Sequence, residues 1–165
     1  MVRRVDLCLC LILLLLTCIS AAFAQEDAPR AEFNVGWSYL DSSTYTGHGF
    51  NVGMAESATS WFQVEAQFDA NFDLADYHYD LYTLVAGAKI PFRMKRITPF
   101  GHVLFGASMF RAFGNTSPDL AMKVGGGVDF MLTPLLSARI GVDDLVVWNP
   151  VRHYLLVNAG MVFKF

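Results

Sequence analysis

Beyond residue 18 the chain has no cysteine; Cys8, Cys10 and Cys18 all lie near the N-terminus. A mature protein without them has no disulfide, no thiolate metal site and no cysteine nucleophile. Charge is scarce too. Charged residues fill 16% of the 165 positions, against about 25% in an ordinary soluble domain. The net charge of −3 excludes the basic footprint of a nucleic-acid binder. After residue 24 no apolar run approaches the ~20 residues of a membrane-spanning helix. No composition break or solenoid period divides residues 25–165, and the length suits one domain. Apolar and aromatic residues abound: 54% of positions are hydrophobic, with 14 Phe, 6 Tyr, 3 Trp and 13 Gly in the chain. Such a chain is to be tested first as a membrane protein.

Residues 1–24 have the layout of a cleavable secretory signal. Arg3 and Arg4 form the positive start, residues 7–19 the apolar core, and Ala22-Phe23-Ala24 the small-residue cleavage site. Cleavage leaves residues 25–165 as one domain, with ten bases against fourteen acids.

Within that domain the recurring signal is strict alternation, the mark of strands with two unlike faces. Between Trp61 and Phe72 one face carries Phe62, Val64, Ala66, Phe68, Ala70 and Phe72. The other carries Gln63, Glu65, Gln67, Asp69 and Asn71. A helix of 3.6 residues per turn cannot separate these sets. The same reading applies to 32–39, 49–54, 82–90, 102–109, 122–130, 136–143 and 155–165. Eight strands result, each close to the ~10 residues that cross a bilayer when tilted. Longer polar connections (41–48, 73–79, 111–120, 147–153) alternate with tight turns (56–60, 93–97, 133–135). This is the layout of an all-β, eight-stranded antiparallel up-and-down transmembrane barrel.

Charge indicates which face points inward. The polar faces carry Glu65, Asp69, Asp129 and Asp143 against Lys89, Lys123, Arg139 and Lys164, a set that sums to zero. In a closed eight-stranded interior with little water such charges must pair. They are expected to fix the barrel's interior in a structural role. Gly36, Gly53, Gly87, Gly106, Gly125, Gly127, Gly141 and Gly160 share those faces and leave room for long side chains to meet. Aromatics near strand ends (Trp37, Tyr39, Trp61, Tyr79, Phe92, Trp148, Tyr154, Phe163) are expected to form interfacial girdles. The opposite arrangement, with the apolar face inward around a ligand, would make a soluble lipocalin-like periplasmic binder.

The alternating end Asn158-Ala159-Gly160-Met161-Val162-Phe163-Lys164-Phe165 and the stretch Gly125 to Phe130, followed by Leu132-Thr133-Pro134, carry a resemblance. They resemble the eight-stranded outer-membrane barrels of Gram-negative bacteria, the OmpA-like, OmpX-like and opacity-protein superfamily, in its barrel-only form. The resemblance implies residence in the outer membrane among its lipids. It also implies assembly by the barrel-assembly machinery, which reads the C-terminal strand through Met161, Phe163 and Phe165. No cofactor, metal or nucleic-acid partner is implied, and a monomer is expected. The fold is a weaker guide to function: a structural or interfacial role with at most a narrow porin-like pore.

Relatives that modify lipids make catalysis an alternative. His78, beside Asp73, Asp76 and Asp80, could bind a divalent cation or simply be solvated. His102 and Ser108 share the inner face, but six residues along a strand span roughly 20 Å, so they cannot form a catalytic pair. Arg93, Lys95 and Arg96, in a turn on the periplasmic side, either meet anionic headgroups or are solvated.

Overall fold

A computed structural model describes residues 29–42, 46–73, 80–112, 115–148 and 150–165. The signal segment, His78 and its neighbours Asp76 and Tyr79 lie outside them, and only the backbone of Asp73 is included. Eight strands run in order: β1 (Ala31–Asp41), β2 (Thr46–Ser57), β3 (Gln63–Asp73), β4 (Asp80–Pro91), β5 (Ile97–Ala112), β6 (Asn115–Thr133), β7 (Leu136–Val147) and β8 (Arg152–Lys164). Each is antiparallel to the next, and β8 returns to β1 with Glu32 opposite Lys164 and Asp41 opposite Leu155. The sheet therefore closes with no free edge around the barrel wall.

At one end the connections are tight. Ala58 and Thr59 N–H both donate to the Phe62 carbonyl, and the Met94 N–H donates to the Ile97 carbonyl. A register shift between Met131 and Thr133 eases β6 into its turn. The chain ends meet there too: the Arg30 N–H donates to the Phe165 oxygen at 2.7 Å.

At the other end β6 outruns β7, while β5 keeps level with β4, where Arg111 stands opposite Asp80. The expected loop at 111–120 is instead mostly ladder, with Arg111 paired to Thr116 and Ala112 to Asn115. Its Gly, Asn, Ser and Pro content disguised a hairpin, whose strands need only each other. Because β7 stops at Val147 opposite Ala121, six residues of β6 run on paired to β5 only, roughly 20 Å at strand rise. The Leu120 carbonyl accepts from the Trp148 N–H, so by alternation Pro118 turns its missing N–H to the same open edge, where none is needed.

The barrel is inside out relative to a soluble protein. Leu84 and Phe105, near the strand middles, are 63% and 58% exposed, whereas Lys123 and Asp69 are fully buried. The outer wall carries aromatic contacts across β1 to β4, including Trp37–Tyr39, Phe50–Phe68 and Phe72–Tyr82. Tyr154 departs from the expected girdle: its place in β8 turns it into the bore, where it is buried. No helix among the described residues is long and apolar enough to cross a membrane; an apolar outer wall and a polar core are what a strand-built crossing requires.

Candidate functional site

The interior divides into two zones. Toward the loop end, Leu40, Leu81, Val85, Leu104, Ala121, Leu145, Val147, Tyr154 and Leu156 form one buried apolar cluster, against which Phe110 packs. These residues come from β1 and from β4 through β8, while the β2–β3 sector stays polar, with the Ser38 hydroxyl donating to Asn71. It forms because the inward parity that serves charges in the strand middles lands on aliphatic residues near the loops.

From the strand middles to the turn end the interior is ionic. Arg139 on β7 makes a two-pronged bond to Asp129 on β6, with Nε–Oδ1 at 2.7 Å and Nη2–Oδ2 at 2.9 Å. Its guanidinium also lies 3.5 Å from Glu32 and 3.6 Å from Glu65. Lys89 on β4 donates to Glu32 on β1 at 2.7 Å, and Gln63 adds a second donor to the same carboxylate at 3.1 Å. The Phe100 ring stands between the two cations, 4.8 Å from Lys89 Nζ and 4.4 Å from Arg139 Cζ.

Higher up, His102 on β5 bridges two strands that it does not pair with. Its Nδ1 lies 2.8 Å from Glu65 on β3 and its Nε2 2.9 Å from Asp143 on β7. A ring with carboxylates at both nitrogens is matched by the imidazolium form, which donates on each side. Asp143 also accepts from Asn158 at 2.8 Å, and Asn51 donates to Asn158 at 2.9 Å. Lys123 donates to Asp69 at 2.7 Å and lies 3.7 Å from Asp143.

Seven of the expected charges therefore meet inside: Glu65, Asp69, Lys89, Lys123, Asp129, Arg139 and Asp143. Lys164 does not join them. It is half-buried at the turn-end mouth, opposite Glu32, and makes no ion pair among the described residues. Glu32 takes its place as partner to the interior cations. Its position on the polar face of 32–39 was the available signal; Phe100 lay outside the segment read as a strand. The interior thus holds five carboxylates against three permanent cations, with His102 between. Among the other histidines, His48 contacts the Trp37 ring on the outer wall, and His153 pairs with Asp144 at 2.9 Å at the exposed loop end. Among the described residues no cluster of three or more metal-ligating side chains occurs.

Comparison of the structure with solved ones gives consistent neighbours. Neisserial surface protein A aligns with a TM-score of 0.63 at 16% identity, covering 82% of this chain and 96% of that one. Ail, the attachment invasion locus protein of Yersinia pestis, aligns at 0.57 and 16% identity over 84% and 99%. The N-terminal barrel domain of Pseudomonas aeruginosa OprF aligns at 0.59 and 13% identity over 84% and 100%. The fold is that of the eight-stranded outer-membrane barrels. The outer-membrane enzyme PagL shares it, with a TM-score of 0.51 and 13% identity over 80% and 99%, so the fold alone does not separate enzyme from non-enzyme. No protein-family model matches the sequence, and neither does any curated protein.

Proposed function

We propose that this chain is a monomeric, non-conducting barrel of the bacterial outer membrane, with its tight turns and both chain ends on the periplasmic side and a structural or interfacial role. Residues 1–24 deliver it, and the barrel-assembly machinery reads Met161, Phe163 and Phe165. The closed bore carries the reading. The paired charges and the apolar cluster of Leu104, Leu145 and Leu156, which stand beside Lys123 and Asp143 in register, together fill the bore, and an eight-stranded interior filled by side chains leaves no open channel. At the loop end the described residues include the β5–β6 hairpin, whose β6 strand runs on past the end of β7.

The lipocalin-like alternative needs the apolar face inside, the reverse of the observed wall. A non-enzymatic role is favoured by the engagement of His102: both its nitrogens serve carboxylates, whereas a base that activates a hydroxyl needs one ring nitrogen free for it. The test is fractionation with heat modifiability, then planar-bilayer recording. The reading requires an outer-membrane band that shifts on boiling and no steps of conductance. A soluble periplasmic protein, or sustained channel openings, would overturn it.

A further inference from the structure

We infer that the turn-end mouth of the barrel is a docking site for the phosphate of anionic phospholipids, built on Arg93, Lys95 and Lys164. The inference rests on the orientation proposed above, which sets this mouth at the inner leaflet.

A cavity of about 580 Å³ opens at this end, and these three cations line it together with Glu32. Glu32 is already engaged: Lys89 and Gln63 bond to it, and Arg139 lies 3.5 Å away. Lys164 sits directly opposite Glu32 in the β1–β8 register yet makes no ion pair among the described residues, because that carboxylate is drawn inward. Its ammonium is left at the mouth. Arg93 is held at the lip by the Ser60 carbonyl and, at 3.4 Å, by the Ser57 hydroxyl. Those bonds leave further guanidinium hydrogens free for an anion. Lys95 is exposed in the same turn.

The charges outside the bore are sorted by end. The turn end carries Arg30, Arg93, Lys95, Arg96 and Lys164 against Glu56 and, in the sequence ahead of β1, Glu26 and Asp27, while the loop connections carry Asp41, Asp73, Asp76, Asp80, Asp119 and Asp144 against Arg111 and Arg152. Exposed apolar residues then fix the depth of the basic end. Phe92, Leu132, Leu135 and Phe165 stand around the mouth, where an interfacial apolar collar meets the acyl chains and leaves adjacent cations level with the headgroup phosphates. A lipid is therefore the occupant whose two chemistries both match. A zwitterionic headgroup would bring its own ammonium to a mouth already in cationic excess, so an anionic one is selected.

The experiment inserts the full-length mature barrel into nanodiscs of phosphatidylethanolamine mixed with phosphatidylglycerol and counts the lipids retained on release by native mass spectrometry. Phosphatidylglycerol should be enriched over its share of the disc, and the enrichment should fall about fivefold for each charge removed in Lys95→Gln and Lys164→Gln. Added salt should erode it in the unaltered protein. Boiling-shift gels on the same samples report whether the barrel itself is intact, so failure of the barrel reading is seen separately. Retention in proportion to disc composition would overturn the inference, as would enrichment that both variants and salt leave unchanged. Inorganic phosphate adducts without lipid preference would do the same. So would enrichment seen only in Glu26→Gln/Asp27→Asn, since the chain's own acidic start would then be the occupant.

Discussion

Removing the charge of Lys123 alone should destabilise the barrel far more than removing it together with its partner. Lys123 and Asp69 are fully buried and lie 2.7 Å apart. At that separation their attraction is about 6 kcal/mol for an effective dielectric of about 20. Desolvating the two ions costs a comparable several kcal/mol each, so the intact pair contributes little net stability beside apolar packing. The asymmetry appears when one ion stays behind. In Lys123→Met the Asp69 carboxylate keeps, as a hydrogen-bond donor among the described residues, the Gln67 amide at 3.5 Å, and Asp143 loses a neighbouring cation as well. The expected loss is about 3–5 kcal/mol, the usual cost of an orphaned buried charge. Asp69→Asn/Lys123→Met removes both charges and should recover most of that loss. The assay is urea unfolding of the barrel refolded in lipid vesicles, monitored by tryptophan fluorescence and by the boiling shift on gels. A loss below about 1 kcal/mol for Lys123→Met would refute the reasoning. So would a double variant whose loss equals the sum of the singles, because independent sites add and coupled ones do not.

The same geometry sets other expectations. Leu84→Arg, in the middle of the outer wall, should cost about 2–4 kcal/mol in the same unfolding assay; unchanged stability would mean that Leu84 does not face lipid. Gly125→Ala should destabilise by about 1–3 kcal/mol, because a methyl there would collide with the Asp143 carboxylate and the Val142 carbonyl, and a normal denaturation midpoint would count against the packing of that layer. Deleting Phe165 should sharply reduce the amount of heat-modifiable protein in isolated outer membranes; an unaltered yield would remove the terminal aromatic from the assembly signal. Overproduction of the unaltered protein or of His102→Ala should leave membrane lipid acylation the same, and deacylation that His102→Ala abolishes would make the protein an enzyme.

Strand number, order and facing were legible because a bilayer-facing strand obeys one rule at every position, and period 2 states that rule directly. Glu65, Asp69, Lys89, Lys123, Asp129, Arg139 and Asp143 were visible for the same reason, since parity alone put them inside. Who pairs with whom was not visible. Partners such as Glu65, His102 and Asp143 come from β3, β5 and β7, and tilt and stagger bring them level across the bore in a way that linear spacing does not encode. Lys164 shows the limit of parity: it has the right face but the wrong depth, at the mouth. Tyr154 shows the reverse: its type suits a girdle near a strand end, but its parity in β8 turns it into the bore. The apolar cluster was also hidden, because Leu81, Leu104, Leu145 and Leu156 interrupt the polar faces singly and meet only when the sheet closes.

The buried charges have a further consequence for how this chain chooses its inside. In a membrane, lipid tails are as apolar as leucine, so burying an aliphatic face in the bore rather than in the bilayer brings little gain. An interior made only of residues like Leu145 and Val85 would leave the two faces of each strand nearly equivalent, and a one-residue slip would exchange them at small cost. Glu65, His102, Asp143, Lys123 and Asp69 remove that degeneracy. Turned outward, each would stand unpaired in hydrocarbon, at a cost of up to about 4 kcal/mol per cation near the midplane; turned inward, each meets a partner within 2.9 Å. The network's energetic value therefore lies less in the stability of the finished barrel than in the penalty it places on every other register. That is also why the double variant, though close to the unaltered protein in stability, should refold with more misregistered chains than either the parent or any variant that keeps the layer intact.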